Sequence, residues 1–243
     1  MEWVDQGIVL SSRRHGESSA IVTLLTRRYG RHAGLVRGGS GKRLRGILQP
    51  GNTVQARWRA RLPEHLGSMT CELSHSFAAS VMDDADRLAA LSSACALAEA
   101  ALPEREVHEA VFDGLLILLG AIENDTWPTV YVHWEIGLLG ELGFGLDLSE
   151  CAATGRNDQL AYVSPKSGRA VSLAAGEAYK TKLLPLPAFL VSPDGKGDLG
   201  EVADGLRLSG YFLERHVLAH HDQGLPAARR RLAARLNKRT QKE

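Results

Sequence analysis

The sequence predicts an α+β fold, with a small five-stranded barrel first and a mostly helical region after it. Three observations carry the prediction. Short β-branched runs separated by glycine turns fill about the first 80 residues. Helix formers take over near residue 82, and a segment rich in Gly, Pro and Ser at 151–197 interrupts the helices.

The strands come in order. "GIVLSS" and "SAIVTLLT" are the first two, with "RRHGE" (13–17) as the turn between them, and "RYGRHAGLVRGG" supplies a third. The clearest strand is Asn52–Leu62. Val54, Ala56, Trp58, Ala60 and Leu62 occupy one parity, and Gln55, Arg57, Arg59 and Arg61 the other. Side chains alternate across a strand, so an apolar face turns inward and three arginines turn out in a row. That parity places Trp58 in the core. "GSMTCELSHSF" is the fifth strand. Five short strands with tight glycine turns suit a closed OB-fold barrel.

Helices follow. "MDDADRLAALSSACALAEAAL" opens on Asp83 or Asp84 as N-cap. "EVHEAVFDGLLILLGAI" is apolar enough to be mostly buried. "WPTVYVHWEIGLLGELG" carries Pro128 in its first turn, with Val130, Trp134, Leu138 and Leu142 along one face. Leu206, Leu213 and Val217 mark a further helix face, and "PAARRRLAARLNKR" forms the last helix. The expected domains are 1–81 for the barrel and 82–243 for the helical part, with an irregular insert at about 149–180.

Composition narrows the class. Hydrophobic residues at 44% and charged residues at 23% are ordinary for a globular chain. No apolar run approaches a membrane span, "MEWVDQGIVL" lacks the basic start of a secretory signal, and three scattered cysteines make no disulfide framework. A cytoplasmic, nucleoid-associated protein is expected. The net charge of +1 conceals a segregation: residues 1–61 balance at +9, 62–160 at −14 and 161–243 at +6. A nearly neutral chain so divided presents a positive surface at one end and suits a polyanion.

"VRGGSGKRLRG" (36–46) packs four glycines and four cations into eleven residues. A Walker A loop needs Gly five residues before Gly41 and Ser/Thr after Lys42, but Val36 and Arg43 stand there, so nucleotide hydrolysis is not indicated. The stretch reads as a mobile strand-connecting loop whose charge follows polymer phosphate. Its neighbours accumulate in the same direction. Arg13, Arg14, Arg27, Arg28, Arg31, Arg37, Lys42, Arg43, Arg45, Arg57, Arg59 and Arg61 are the candidate nucleic-acid contacts, with Tyr29 as a candidate base-stacking ring. Five phosphates neutralised on a single strand would give a log–log salt slope of about −3.5. In the last helix Arg231, Arg235, Lys238 and Lys242 form a basic stripe. Leu232 and Leu236 beside Arg235 and Arg239 are a candidate site for an acidic partner tail or for DNA.

Other chemistry fails on its residues. Cys151 stands alone, with Thr154, Ser172 and Ala175 where the other thiolates of a zinc ribbon would be. His216 and His220 lie one helical turn apart without a third ligand. There is no Gly-x-Ser-x-Gly elbow and no carboxylate pair of defensible spacing, and the three cysteines sit in contexts that favour inert burial. No catalytic residue, metal or cofactor is expected.

The order of these segments resembles the bacterial DNA repair and recombination mediator RecO family over nearly the full chain. "GIVLSSRRHGESSAIVTLLTRRYGRHAGLVRGG", "LQPGN", "WEIGLLGELGFGLDLSECAATG", "DQLAYVSPKSGRAVS" and "LLPLPAFL" carry the resemblance. It implies an OB-fold, a helical domain and a zinc-ribbon-like insert, here degenerate and held by packing. It also implies a non-enzymatic mediator that binds single- and double-stranded DNA and anneals complementary strands. The partners implied are RecR and the C-terminal tail of single-stranded-DNA-binding protein, and through them the loading of RecA onto coated DNA. An RNA-directed OB module and a protein-interaction scaffold are the alternatives that the residues leave open.

Overall fold

The computed structural model describes residues 1–192, 197–219 and 224–241, and the chain divides into two compact units, Met1–Asn124 and Asp125–Glu243.

In the first unit, strands β1 (Glu2–His15), β2 (Ser19–Thr26), β3 (Gly30–Val36), β4 (Thr53–Arg59) and β5 (Ser68–His75) close a barrel in the order β1-β2-β3-β5-β4. All pairings are antiparallel except the β3–β5 seam, where Leu35 meets Ser68. The alternation in β4 holds: Val54, Ala56 and Trp58 are buried with Val22, Leu24, Val36 and Met69, while Arg57 and Arg59 face out. Trp58 is core, and its Nε1 donates to the Leu66 carbonyl at 2.9 Å.

Three expectations change. Arg13 and Arg14 belong to β1 rather than to a turn, because they pair with Ile21 and Ala20; the reversal is confined to Gly16, Glu17 and Ser18. Arg61 lies beyond the end of β4, and Leu62 is exposed rather than inward. The second half of the basic glycine stretch is helix α1 (Lys42–Ile47), not loop. Helix formers Lys42, Arg43, Leu44 and Arg45 outweigh Gly46, and Leu44 and Ile47 give the turn an apolar side that packs on the barrel core.

After the short α2 (Phe77–Ser80), α3 (Ala85–Ala101) is capped by Asp84, whose side chain accepts from the Asp86 and Arg87 amides. Then comes α4 (Glu109–Ala121). The chain between these helices presses on the barrel at Gly30. There φ is +66° and an added Cβ would lie 1.9 Å from the Glu106 carbonyl oxygen, so only glycine fits.

The second unit opens with α5 (Trp127–Glu141), with Pro128 in its first turn. Trp134 and Leu138 are buried as expected, but Val130 and Leu142 only partly, because the buried face also takes in Tyr131, Val132, Glu135 and Leu139. A three-stranded sheet of β6 (Leu160–Val163), β7 (Ala170–Ser172) and β8 (Leu184–Pro185) follows in the order β7-β6-β8, with the short α6 (Leu173–Gly176) after β7. Helix α7 (Leu199–Phe212) runs into a π-turn at Leu213–Val217, and α8 (Ala227–Thr240) closes the unit. Leu206 and Leu213 are buried and Val217 partly so.

Among the described residues of this second unit, the charged side chains of Glu135 and Arg229 lie inside. Arg229 donates through Nε and Nη2 to the two oxygens of Glu135 at 2.5 and 2.8 Å, and Nη2 also reaches the Leu206 carbonyl at 2.8 Å. Ser209 Oγ donates to the same carboxylate at 2.5 Å. The network ties α5, α7 and α8 together. Burial works against the Arg229 charge, but the Glu135 carboxylate outweighs it and holds the guanidinium firmly protonated.

Candidate nucleic-acid interface

The fold sorts the twelve candidate cations of the first unit into distinct groups. Arg13 and Arg14 end β1, Arg37 follows β3, and Lys42, Arg43 and Arg45 sit on α1. Turn-to-turn hydrogen bonds gather these six at one end of the barrel. The Ser40 amide donates to the Ser18 carbonyl at 2.9 Å, and Ser40 Oγ donates to the Ser19 carbonyl at 2.7 Å. Glycine permits this contact. Gly38 has φ +71°, and a Cβ on Gly39 would lie 2.8 Å from the Ala20 Cβ. Asn52, fully buried, fixes α1 from below: its Nδ2 donates to the Gly46 and Ile47 carbonyls at 3.0 and 3.1 Å, while its Oδ1 accepts from Ser76 Oγ and the Ala78 amide. All six cations are exposed, and among the described residues none of them has a carboxylate within ion-pair distance.

The other six are arranged differently. Arg27 pairs with Glu109 and Asp113 of α4 and lies over the Phe112 ring; these carboxylates raise its pKa against the opposing effect of burial. Arg31 donates to the Leu102 carbonyl at 2.7 Å and faces Glu104 at 3.7 Å. Arg28 pairs with the buried Asp5 at 3.3 Å, and Arg57 with Glu2 at 3.5 Å. Arg59 and Arg61 are exposed and have no such partner among the described residues, but the β4 face is mixed in sign, since Glu2 and Glu72 stand on the flanking strands opposite Arg59 and Gln55. Tyr29 is partly exposed and stacked on Trp3 (4.6 Å, 9°), which in turn stacks on Trp58.

In the second unit, Arg231, Arg235, Lys238 and Arg239 are exposed on α8, and Lys242 lies outside the described residues. Leu232 and Leu236 are 0% and 1% exposed, so they serve the core and offer no apolar groove to a partner tail. That corrects the sequence reading. The leucines recur at the four-residue step that faces α8 inward, on the side that also buries Arg229.

His220 lies outside the described residues, and His216 stacks between ring neighbours Phe144 and Phe212. Among the described residues no cluster of three or more His, Cys, Asp or Glu forms a metal site. Cys151, Thr154 and Ser172 do come together. The Ser172 amide donates to the Cys151 sulfur at 3.2 Å, and Ser172 Oγ is 3.5 Å away. One thiolate beside two hydroxyls does not supply a tetrahedral zinc set. The cysteines also differ among themselves. Burial pushes Cys71 and Cys95 up to about 12. For Cys151 burial acts in the same direction, but hydrogen bonds from Ser172, Thr154 and the Ala153 amide outweigh it and bring the thiol down to about 6.

Comparison with known proteins divides the chain near residue 80, where the barrel gives way to helices, and not at the Asn124–Asp125 boundary of the two compact units. Residues 1–77 match the model described as "Recombination protein O N terminal", and residues 82–223 the model "Recombination protein O C terminal". The chain is 57% identical over 240 residues to the DNA repair protein RecO of Rhodospirillum centenum, covering 98% of this chain and 96% of that one. It is 55% identical over 245 residues to the protein of that name from Rhodospirillum rubrum, covering 98% and 97%. The corresponding protein of Caulobacter vibrioides is 50% identical over 237 residues, covering 97% and 98%.

Proposed function

The chain belongs to the recombination protein O family, and from that premise we propose that it mediates DNA repair and homologous recombination by holding DNA on the basic end of an OB-type barrel. It binds single and double strands, anneals complementary strands, and helps RecA load onto DNA coated with single-stranded-DNA-binding protein. RecR and the acidic tail of the coating protein are its protein partners. The observation that supports this reading is the group of six exposed cations, Arg13, Arg14, Arg37, Lys42, Arg43 and Arg45, without ion-pair partners among the described residues.

Annealing asks for little else. Two polyanions repel until their phosphates are neutralised, and a cationic surface that acts mainly on the backbone lowers that barrier for any complementary pair. No bond to the protein and no general acid or base is needed. Arg27, Arg28, Arg31 and Arg57 serve mainly to hold the first unit together through their carboxylate partners. The small sheet around Cys151 acts as a metal-free counterpart of a zinc ribbon.

The test is annealing of two complementary oligonucleotides precoated with single-stranded-DNA-binding protein. Changing Arg37, Lys42, Arg43 and Arg45 together to Ala should slow annealing markedly. Changing Arg57, Arg59 and Arg61 to Ala should slow it less. Annealing untouched by the first set would move the DNA path elsewhere. Absence of annealing at low salt by the wild type, together with tighter binding of RNA than of DNA, would favour an RNA-directed module instead.

A further inference from the structure

The basic end of the barrel carries a cleft as well as a charge. Between the β1–β2 hairpin and the Gly38–Gly41 turn lies a space of about 490 Å³, within the range of small-ligand sites. Ser12 and Arg14 of β1, Ser40 of the turn and Arg45 of α1 wall it, and Ala20 lies at its base. Register explains why these side chains meet. Ser12 pairs with Val22 and Arg14 with Ala20, so both project from the strand face that lines the barrel interior, beyond the point where the core ends.

Arg14 is held in place without being neutralised. Its Nε donates to the Gly16 carbonyl at 3.3 Å and its Nη2 to the Glu17 carbonyl at 3.1 Å. Both acceptors are backbone carbonyls, so the positive charge survives and the remaining donors of the fork are left for the cleft. Glu17 is the one acid among the lining residues.

We propose that this cleft seats one nucleotide unit of a single strand, its phosphate held between Arg14 and Arg45. The inference rests on the reading above that this end of the barrel binds DNA. A phosphate by itself would leave most of the space empty. Serine hydroxyls and the Glu17 carboxylate offer donors and acceptors to a sugar and to the edge of an unpaired base. A base within a duplex is stacked and paired, and it can enter only after being flipped out at an energetic cost. The cleft therefore favours single strands over closed duplex. That asymmetry gives annealing a direction: pairing withdraws the nucleotide from the cleft, and the product duplex is held less tightly than the strands that formed it.

The experiment compares binding of oligothymidylate and of a duplex closed by hairpins at both ends, by fluorescence anisotropy with the full chain. Ser12→Phe fills the cleft and leaves every cation in place, while Arg14→Gln keeps its shape and removes one charge. Both should weaken single-strand binding by about tenfold or more, the scale of a lost charge-assisted hydrogen bond. Ser12→Phe should leave duplex binding within about twofold. A melting temperature for each variant verifies folding. Equal losses for strand and duplex with Ser12→Phe, or no loss for either, would overturn the cleft assignment while leaving the DNA reading intact. Displacement of the oligonucleotide by thymidine monophosphate at similar concentration would make the ligand a free nucleotide, which also overturns it. Failure of the wild type to bind either polymer would instead overturn the proposed function itself.

Discussion

Removing one partner of the Glu135–Arg229 pair should destabilise the second unit far more than removing both. Glu135→Gln leaves a guanidinium that is 1% exposed facing a neutral amide, and it takes away both charged hydrogen bonds. The Leu206 carbonyl remains as acceptor, along with the Tyr131 ring 6.0 Å away, and neither cancels a unit charge. Stranding one buried ion in this way costs about 3–5 kcal/mol, a large part of a domain's ~5–15 kcal/mol. With a urea m-value of about 2 kcal/mol/M, the midpoint should fall by roughly 1.5–2.5 M. Arg229→Met should cost a similar amount, because it leaves the carboxylate with Ser209 as its remaining side-chain donor. The double variant Glu135→Leu/Arg229→Met removes both charges and keeps the volume, and should come close to the wild type. Urea titration, with hydrogen exchange resolved to peptides of α5, α7 and α8, keeps the readout on this unit. Single variants costing less than about 1 kcal/mol, the value of a surface pair, would mean that water reaches the site and would refute the reasoning. So would a double variant whose loss equals the sum of the singles.

Two further outcomes concern the same unit. Gly137 and Gly140 lie on the exposed side of α5 where an added Cβ meets nothing within 4 Å; Ala at each should raise stability by about 0.5–1 kcal/mol, read as a higher melting temperature. Cys151, lowered from 9 to about 6, binds its proton more weakly when folded, so its contribution is complete above pH 9 and disappears as the pH falls through 6. The melting-temperature gap between wild type and Cys151→Ala should therefore narrow on going from pH 9 to pH 6, and a gap independent of pH would show that the folded thiol titrates normally.

Local chemistry was legible where a single element decides it. The β4 alternation, the Asp84 cap and the proline in the first turn of α5 follow from strand and helix geometry alone, and the structure repeats them. What the sequence concealed depends on partners distant in the chain. Arg27 looks free until α4 brings Asp113 beside it, 86 residues away. Helix α1 was hidden because glycines dominate a local count, while the packing of Leu44 and Ile47 on the barrel is a tertiary effect. One signal was present and unread. Arg229 lies three residues before Leu232 and seven before Leu236, on the inward stripe of α8, and Glu135 follows Tyr131 by four on the inward stripe of α5. Opposite charges on two apolar stripes point to each other, since neither can be buried alone.

The same sorting of charges changes what a salt titration should report. If every one of the twelve candidate cations met a phosphate, single-strand affinity would fall with a log–log slope of about −8. Four of them already face carboxylates, and an ion pair that must break before DNA is contacted returns little on binding. The six exposed cations at the hairpin and α1 end predict a slope of about −4 on a single strand. Each Ala substitution within that group should flatten the slope by about 0.7. Arg27→Ala should leave the slope unchanged and lower stability instead, because it uncovers Asp113 and Glu109 on α4. A wild-type slope near −8, or a slope that flattens with Arg27→Ala, would mean that DNA displaces the carboxylates. The barrel would then engage the polymer over a much larger surface than one end.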